Sequence, residues 1–267
     1  MTDSMVDCMV DSLVDSLVDD GGKTKRPVCL SIGGSDSCGG AGIQADLRVF
    51  EALGVHGCSA ITALTAQNPA NISRIEAVSL AQLDAELHAV FDYYEVVAVK
   101  TGMLFDVEHI ALISALLHDR HKGALVVDPV MVSSSGKRLL QAAAVDTVIH
   151  ALLPMARLLT PNLDEAAVLL GESVITDFEQ AAMALQTQFG CAVLLKGGHA
   201  DTDCLMDVLC EPDGSIHAFR HPRQPWSAKL RHGTGCRLAS AITANLAHQQ
   251  PLKQAVQHAI DYLQADV

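Results

Sequence analysis

The segment best equipped for chemistry is residues 231–236, Arg-His-Gly-Thr-Gly-Cys, which directly precedes an apolar helical stretch over residues 238–248. Glycine and threonine at a helix start leave the backbone N–H groups of the first turn open to an anion, above all a phosphate. Cys236 lies in that turn, where the helix dipole favours the thiolate. The segment therefore suggests phosphoryl transfer to a hydroxyl. A glycine-rich helix cap with a buried cysteine explains these six residues alone at least as well.

The remaining chain predicts the elements that position this segment. From residue 28 onward, short apolar segments alternate with helical ones, which predicts an α/β fold with a mostly parallel sheet covered on both faces. Ligands of open α/β sheets bind beyond the carboxyl ends of the strands. Glycine-rich or polar clusters fall at those ends, at residues 33–40, 67–68, 100–103, 128–129, 162–165 and 196–199. Their shared location predicts a single site.

Two side chains in these elements suit a small polar substrate. Gln67 ends an apolar strand, and its amide can donate and accept at the edge of an aminopyrimidine. Asp46 lies one turn into the first helix and can accept a hydrogen bond from a substrate hydroxyl or amine. The alternatives are a glutamine bonded to nearby backbone and a solvated helix aspartate.

Three further side chains suit a nucleotide and a metal ion. Asn162 and Glu165 stand at a strand-to-helix junction, where the carboxylate can hold Mg²⁺ through water. A first-turn glutamate stabilised by the helix dipole is the alternative. Lys196 ends an apolar strand before two glycines, which favours contact with nucleotide phosphates. Residues 33–40 lack both the Gly-Lys-Ser/Thr ending of a Walker loop and a Gly-x-Gly-x-x-Gly pattern.

Composition limits the class of protein. The 267 residues carry a net charge of −13, which argues against nucleic acids and anionic membranes as partners. A mean hydropathy of +0.26 is typical of a globular chain. Aspartate-led tetrapeptides repeat over residues 3–19, so we expect a low-complexity acidic tail and linker over residues 1–27 and one domain over residues 28–267. Eight cysteines without zinc-site spacing, and no signal-peptide pattern, favour a cytoplasmic protein.

Taken together, seven motifs resemble the hydroxymethylpyrimidine/phosphomethylpyrimidine kinases of thiamine biosynthesis, in the ribokinase-like superfamily. They occur in family order at residues 33–46, 62–68, 100–104, 127–131, 160–166, 196–199 and 232–236. The resemblance implies a ribokinase-like three-layer αβα sandwich and a homodimer. It also implies a kinase that uses ATP and Mg²⁺ to phosphorylate 4-amino-5-hydroxymethyl-2-methylpyrimidine and then its monophosphate.

The resemblance also implies residue roles. Substrate would contact Gln67, Asp46, Gly34, Met103 and Val130; nucleotide would contact Lys196, Asn162, Glu165 and Thr234, with Glu165 serving the metal. Gly233, Thr234, Gly235 and Cys236 would form the anion hole, with the Cys236 thiolate as base.

Two positions depart from the family pattern. Arg237 stands where a small polar residue is usual, and its charge can lower the pKa of Cys236; Ile260 replaces a lysine often found in the last helix. Two alternatives stay open. One is a pyridoxal/pyridoxine kinase of the same superfamily, because the resemblance includes cysteine-type relatives that accept vitamin B6 alcohols. The other, motivated by the departures, is a non-catalytic pyrimidine-binding sensor.

Overall fold

The computed structural model describes residues 26–131, 140, 142–198, 204–225 and 232–265. Within these residues, nine strands form one sheet in the order β3-β2-β1-β4-β5-β6-β7-β8-β9. The strands are β1 (Val28–Asp36), β2 (His56–Asn68), β3 (Asn71–Ala77), β4 (Val96–Thr101), β5 (Ala124–Val127), β6 (Leu158–Leu159), β7 (Ala192–Leu195), β8 (Cys204–Cys210) and β9 (Ile216–Pro222). The central strands from β2 to β7 are parallel, whereas β3 and β8 pair antiparallel with their inner neighbours, as β9 does with β8. The expected mostly parallel sheet is confirmed.

Eight α-helices in the described part of the chain cover both faces of this sheet. They are α1 (Gly42–Ala52), α2 (Leu80–Tyr93), α3 (Val107–Arg120), α4 (Ala142–Thr147), α5 (Leu163–Leu170), α6 (Phe178–Phe189), α7 (Thr234–Ala247) and α8 (Leu252–Ala265). Helices α2 to α6 contribute to one apolar cluster, and α1, α7 and α8 contribute to clusters on the opposite face. Within β5, Leu125 and Val127 join the first cluster and Val126 joins the second, because successive side chains of a strand point to opposite faces. The predicted αβα sandwich is confirmed.

Local capping fixes two helix starts that the sequence predicts. The Ser79 hydroxyl accepts a hydrogen bond from the Gln82 N–H at the start of α2. At α5, the Asn162 side chain accepts from the Glu165 N–H while the Glu165 carboxylate accepts from the Asn162 N–H. Such reciprocal bonds satisfy N–H groups that would otherwise lack partners.

The glycine-rich segment over residues 33–40 is partly strand, although its composition is typical of a loop. Strand β1 continues through Asp36, with Gly33 paired to Ile61 and a register shift before Ser35. The parallel pairing with β2 supplies backbone hydrogen-bond partners that the local sequence does not reveal. Strand β1 therefore extends beyond its apolar residues.

Some predictions fall outside the described residues, namely the acidic tail over residues 1–25, residues 133–136, His199 and Arg231. The division at residue 28 therefore stays a prediction. Among the helices described, none combines the length and apolar character needed to span a bilayer.

Candidate active site

The start of α7 is built by close contact with the glycine-rich segment. Gly233 caps the helix in the left-handed region, with φ +81°, and no side-chain hydrogen bond caps this end. A Cβ at Gly233 would overlap the carbonyl oxygen of Gly40, so glycine is required both by conformation and by space. The first-turn N–H groups of Thr234, Gly235 and Cys236 precede the first intrahelical donors. The helix start predicted from the sequence is present, and anion binding there stays a prediction.

Lys196 places a positive charge at this helix start. Its ammonium donates to Asp128 Oδ1 at 2.9 Å, and a Cβ at Gly235 would lie 3.3 Å from Lys196 Nζ. Burial alone lowers the pKa of Lys196, but the Asp128 and Glu165 carboxylates outweigh it and raise that pKa. A charged ammonium beside open helix N–H groups is suited to bind phosphate.

Glu165 is a second carboxylate, besides Asp128, that lies close to the Lys196 ammonium. Only 5% of Glu165 is exposed. Burial raises its pKa to about 7, with Lys196 opposing the shift and the Asp128 carboxylate adding to it. Glu165 and Asp128 are neighbouring carboxylates, and the charge of Asp128 disfavours ionisation of Glu165. A dication bound to their oxygens would stabilise both in the ionised form. This donor set fits a hydrated Mg²⁺.

Cys236 lies in the first turn of α7, yet it is not poised as a thiolate. Burial, reinforced by the Asp128 and Asp46 carboxylates, raises the pKa of Cys236 to about 12 against the opposing charges of Lys100 and Lys196. The sequence-based expectation that the helix dipole favours the thiolate is therefore wrong for the protein as the structure shows it. Desolvation around the sulfur outweighs the local field of the helix.

Asp46 is buried in a network that the sequence does not reveal. Its Oδ2 accepts from Lys100 Nζ at 2.8 Å and from the Ser31 hydroxyl at 2.6 Å, and its Oδ1 accepts from the Ser240 hydroxyl at 2.7 Å. Asp46 and Lys100 are each 1% exposed. Direct contact of Asp46 with substrate therefore finds no support. Burial alone lowers the pKa of Lys100, but the Asp46 carboxylate and other nearby negative groups outweigh this effect and raise the pKa. The Lys100 ammonium therefore remains charged close to Cys236 in the anion-binding turn.

The remaining predicted substrate residues lie at the same edge of the sheet. A Cβ at Gly34 would approach Met103 Sδ to 3.1 Å, so these two residues are in contact across β1 and β4. Gln67 Nε2 lies 3.0 Å from His232 Nε2, which ties β2 to the turn before α7. Val130 follows β5 and donates its N–H to the Asp128 carbonyl at 2.9 Å.

Four residues with evident roles in this network were not singled out from the sequence. They are Asp36, Lys100, Asp128 and His232, each of which lies in or beside a quoted motif. Lys100 and Asp128 carry a recognisable signal, since each is a charge at the end of an otherwise apolar strand. Asp36 and His232 carry none, because their contact joins positions 196 residues apart.

Two glycines offer a matched test of the loop-to-helix contact. Gly233→Ala and Gly214→Ala both place a Cβ at left-handed backbone, with φ +81° and φ +83°, but only the first creates an overlap. We expect Gly214→Ala to cost about 1–3 kcal/mol from conformation, and Gly233→Ala to cost about 1–3 kcal/mol more from overpacking. Urea unfolding measures both. Equal losses would contradict the contact between Gly233 and Gly40.

Comparison with known proteins agrees with this architecture. The family model described as phosphomethylpyrimidine kinase matches residues 36–267. A hydroxymethylpyrimidine/phosphomethylpyrimidine kinase of Rhizobium meliloti is 45% identical over 245 residues, covering 90% of this chain and 90% of the relative. The crystal structure of a phosphomethylpyrimidine kinase from Clostridium difficile aligns with a TM-score of 0.78 and 35% identity, covering 90% of this chain and 98% of that one. An ADP complex of Bacillus subtilis pyridoxal kinase aligns with a TM-score of 0.81 and 31% identity, covering 90% and 91%. The chain therefore belongs to the phosphomethylpyrimidine kinase family.

Proposed function

We propose that this protein transfers the γ-phosphoryl group of ATP to the hydroxyl of 4-amino-5-hydroxymethyl-2-methylpyrimidine, and then phosphorylates the monophosphate to the diphosphate. The observation that carries this proposal is the Lys196 ammonium beside Gly235, one residue from Cys236 at an open helix start. The site thus combines a phosphate-binding cation, backbone donors and a proton-accepting side chain. The Rhizobium meliloti relative is named for both activities.

The nucleotide half of the site uses the ends of β6, β7 and α7. Lys196 and the Thr234 backbone bind phosphate oxygens, and Asn162 holds Glu165 in place through the capping bonds. Glu165 would hold Mg²⁺ through water, and the ion would supply positive charge to the nucleotide phosphates. Because the transferring phosphoryl group spreads its charge over three oxygens, fixed N–H donors and Lys196 stabilise the transition state.

The substrate half uses the ends of β1, β2, β4 and β5. Gln67 recognises the pyrimidine edge, and Gly34, Met103 and Val130 border the ring. Asp46 acts as a positioning residue that holds the Lys100 charge below Cys236.

Cys236 accepts the proton of the substrate hydroxyl. Sγ binds that proton as the hydroxyl oxygen attacks the phosphorus and the bond to the leaving oxygen of ADP breaks. Only the thiolate of Cys236 can take this proton, so turnover draws on the fraction of the protein in which Cys236 is ionised. A loose phosphoryl-transfer transition state requires little prior ionisation of the hydroxyl, which lowers the demand on this base.

The discriminating experiment is ATP-dependent turnover of the pyrimidine alcohol, its monophosphate and pyridoxal, measured side by side as ADP release and product mass. We expect both pyrimidines to be phosphorylated with a higher kcat/KM than pyridoxal. Turnover restricted to pyridoxal would overturn the proposal. Tight pyrimidine binding without ADP release would instead support the sensor.

Pyridoxal phosphorylation is the second candidate function, because the backbone of this chain is similar to that of a pyridoxal kinase. The Bacillus subtilis pyridoxal kinase has a TM-score of 0.81, against 0.78 for the Clostridium difficile phosphomethylpyrimidine kinase, so shape does not separate the two activities. Sequence favours the pyrimidine, with 45% identity to the Rhizobium meliloti relative against 31% to that pyridoxal kinase. The departure at Ile260 is accommodated in the core, where its side chain on α8 is 3% exposed and belongs to an apolar cluster to which α7 also contributes.

Glu165 gives this proposal a pH test. Its pKa of about 7 means that the carboxylate ionises as the pH rises through 7. We therefore expect the KM for MgATP to fall by up to roughly tenfold between pH 6 and pH 8, because about a tenth of the carboxylate is ionised one unit below its pKa. Glu165→Gln should have a high KM at both pH values. The exposed Glu172→Gln is the matched control and should keep the wild-type profile; a Glu165→Gln variant that also keeps it would contradict the assignment.

We infer a cytoplasmic location from the cysteines, since Cys29, Cys38, Cys58, Cys191, Cys210 and Cys236 are free. A homodimer is expected from the family resemblance. The net charge of −13 favours small-molecule partners over nucleic acids.

A further inference from the structure

We propose that Asp36, Cys38 and His232 form a binding site for a borderline transition-metal dication such as Zn²⁺, separate from the Mg²⁺ position at Glu165. Among the described residues, one ligand atom from each of these three side chains lies within 4.8 Å of the other two. Carboxylate oxygen, thiolate sulfur and imidazole nitrogen are the three ligand types that proteins use for zinc. This site is inferred independently of the proposed kinase reaction.

The distances within the cluster match the edges of a zinc tetrahedron. Asp36 Oδ2 lies 3.4 Å from Cys38 Sγ and 3.0 Å from His232 Nε2. Zinc bonds of about 2.0–2.3 Å place neighbouring tetrahedral ligands about 3.3–3.6 Å apart. The two distances from Asp36 Oδ2 therefore differ from tetrahedral edges by a few tenths of an ångström, and Cys38 Sγ lies within 4.8 Å of His232 Nε2. The fourth position is left for water.

Backbone groups already hold the carboxylate for this purpose. Asp36 Oδ1 accepts from the Cys38 N–H at 3.0 Å, and Oδ2 accepts from the Ala41 N–H at 2.8 Å. Asp36 and His232 are 3% and 7% exposed, whereas Cys38 is exposed. Fixed outer-shell bonds preserve the ligand geometry, and the exposed cysteine gives the ion a way in.

Charge and ligand type select the metal. Binding releases the proton of Cys38 Sγ to solvent, and His232 binds through Nε2 as the neutral tautomer that carries its proton on Nδ1. The carboxylate and thiolate then balance the two positive charges of the dication. Sulfur and imidazole ligands favour Zn²⁺ over the hard ion Mg²⁺.

Sequence spacing hides this site. Asp36 and Cys38 are two positions apart, but His232 lies 196 residues beyond Asp36 and meets them only because the turn before α7 packs on the glycine-rich segment. The absence of a zinc-like cysteine and histidine pattern therefore says nothing against a site formed by tertiary contact.

The test is metal binding to the full chain, with no turnover measurement involved. Competition with a chromophoric chelator gives the Zn²⁺ affinity, and Co²⁺ substitution gives a thiolate-to-cobalt charge-transfer band with the intense visible bands of a tetrahedral site. We expect one Zn²⁺ per chain. Since losing an outer-shell partner typically costs about 10–100-fold in metal affinity, Cys38→Ser should weaken binding by more than about 100-fold and abolish the charge-transfer band.

Cys204→Ser is the matched control, because Cys204 is also an exposed cysteine and lies outside the cluster. It should bind zinc as the wild type does. His232→Asn, with its fold checked by urea unfolding, should weaken zinc binding as strongly as Cys38→Ser. Absence of zinc binding in the wild type, or unchanged binding and charge transfer in Cys38→Ser, would overturn the proposal.

Discussion

Replacing Cys236 with alanine is expected to lower kcat for the pyrimidine alcohol by about 10²–10⁴-fold, the usual contribution of a general base. Backbone donors and Lys196 remain in place, so the KM for ATP should change far less. Steady-state kinetics with both pyrimidines measure the effect. Cys204→Ala is the matched control and should keep wild-type rates, because Cys204 lies on the exposed part of β8.

The pH profile tests the same role in a second way. Burial favours the neutral thiol of Cys236 and raises its pKa to about 12, so its thiolate fraction grows with pH throughout the range in which the enzyme can be assayed. In the wild type, we expect kcat to rise with pH and to reach no plateau below pH 9. In Cys236→Ala this rise should be absent, because the thiol that ionises has been removed. The Glu165 effect is distinguishable, because it acts on the KM for MgATP and levels off above its pKa of about 7. An alanine variant with full turnover would remove Cys236 as the base and leave the anion-binding turn intact.

The contrast between Cys236 and the helix starts shows what local sequence can predict. Capping at Ser79 and Asn162 depends on residues three positions away, so the sequence contains the whole interaction. The helix dipole at Cys236 is also local. The burial of its sulfur, in contrast, depends on groups at the ends of β4, β5 and β7, which are distant in sequence. The sequence therefore predicts where the thiol lies and gives the wrong direction for its pKa.

Long-range pairs show the same limit for the site as a whole. The motifs place Gln67 and Lys196 correctly at the carboxyl edge of the sheet, because alternating strands and helices determine which ends share an edge. The hydrogen-bond and ion-pair partner of each side chain is not determined in this way. The Asp46–Lys100 bond spans 54 positions and the Asp36–His232 contact spans 196, so each requires the packed helices before it can exist.

Lys100→Met is expected to destabilise the protein by about 3–5 kcal/mol, the usual cost of removing one partner from a buried ion pair. The substitution leaves the Asp46 carboxylate, 1% exposed, with the Ser31 and Ser240 hydroxyls as its remaining donors among the residues that the structure describes. Urea unfolding measures the loss. The exposed Lys122→Met is the matched control and should stay within about 0.5 kcal/mol of wild type.

A double-mutant cycle separates the ion pair from simple packing. Asp46→Asn removes the buried negative charge, so the double variant Lys100→Met/Asp46→Asn should lose less stability than the sum of the two single variants. Lys100 is also the largest charge that opposes the high pKa of Cys236. Lys100→Met should therefore reduce kcat at a given pH when Cys236 is present and have little further effect in a Cys236→Ala background. Additive stability losses, together with equal kcat reductions in both backgrounds, would mean that Lys100 neither pairs with Asp46 nor acts through the thiol.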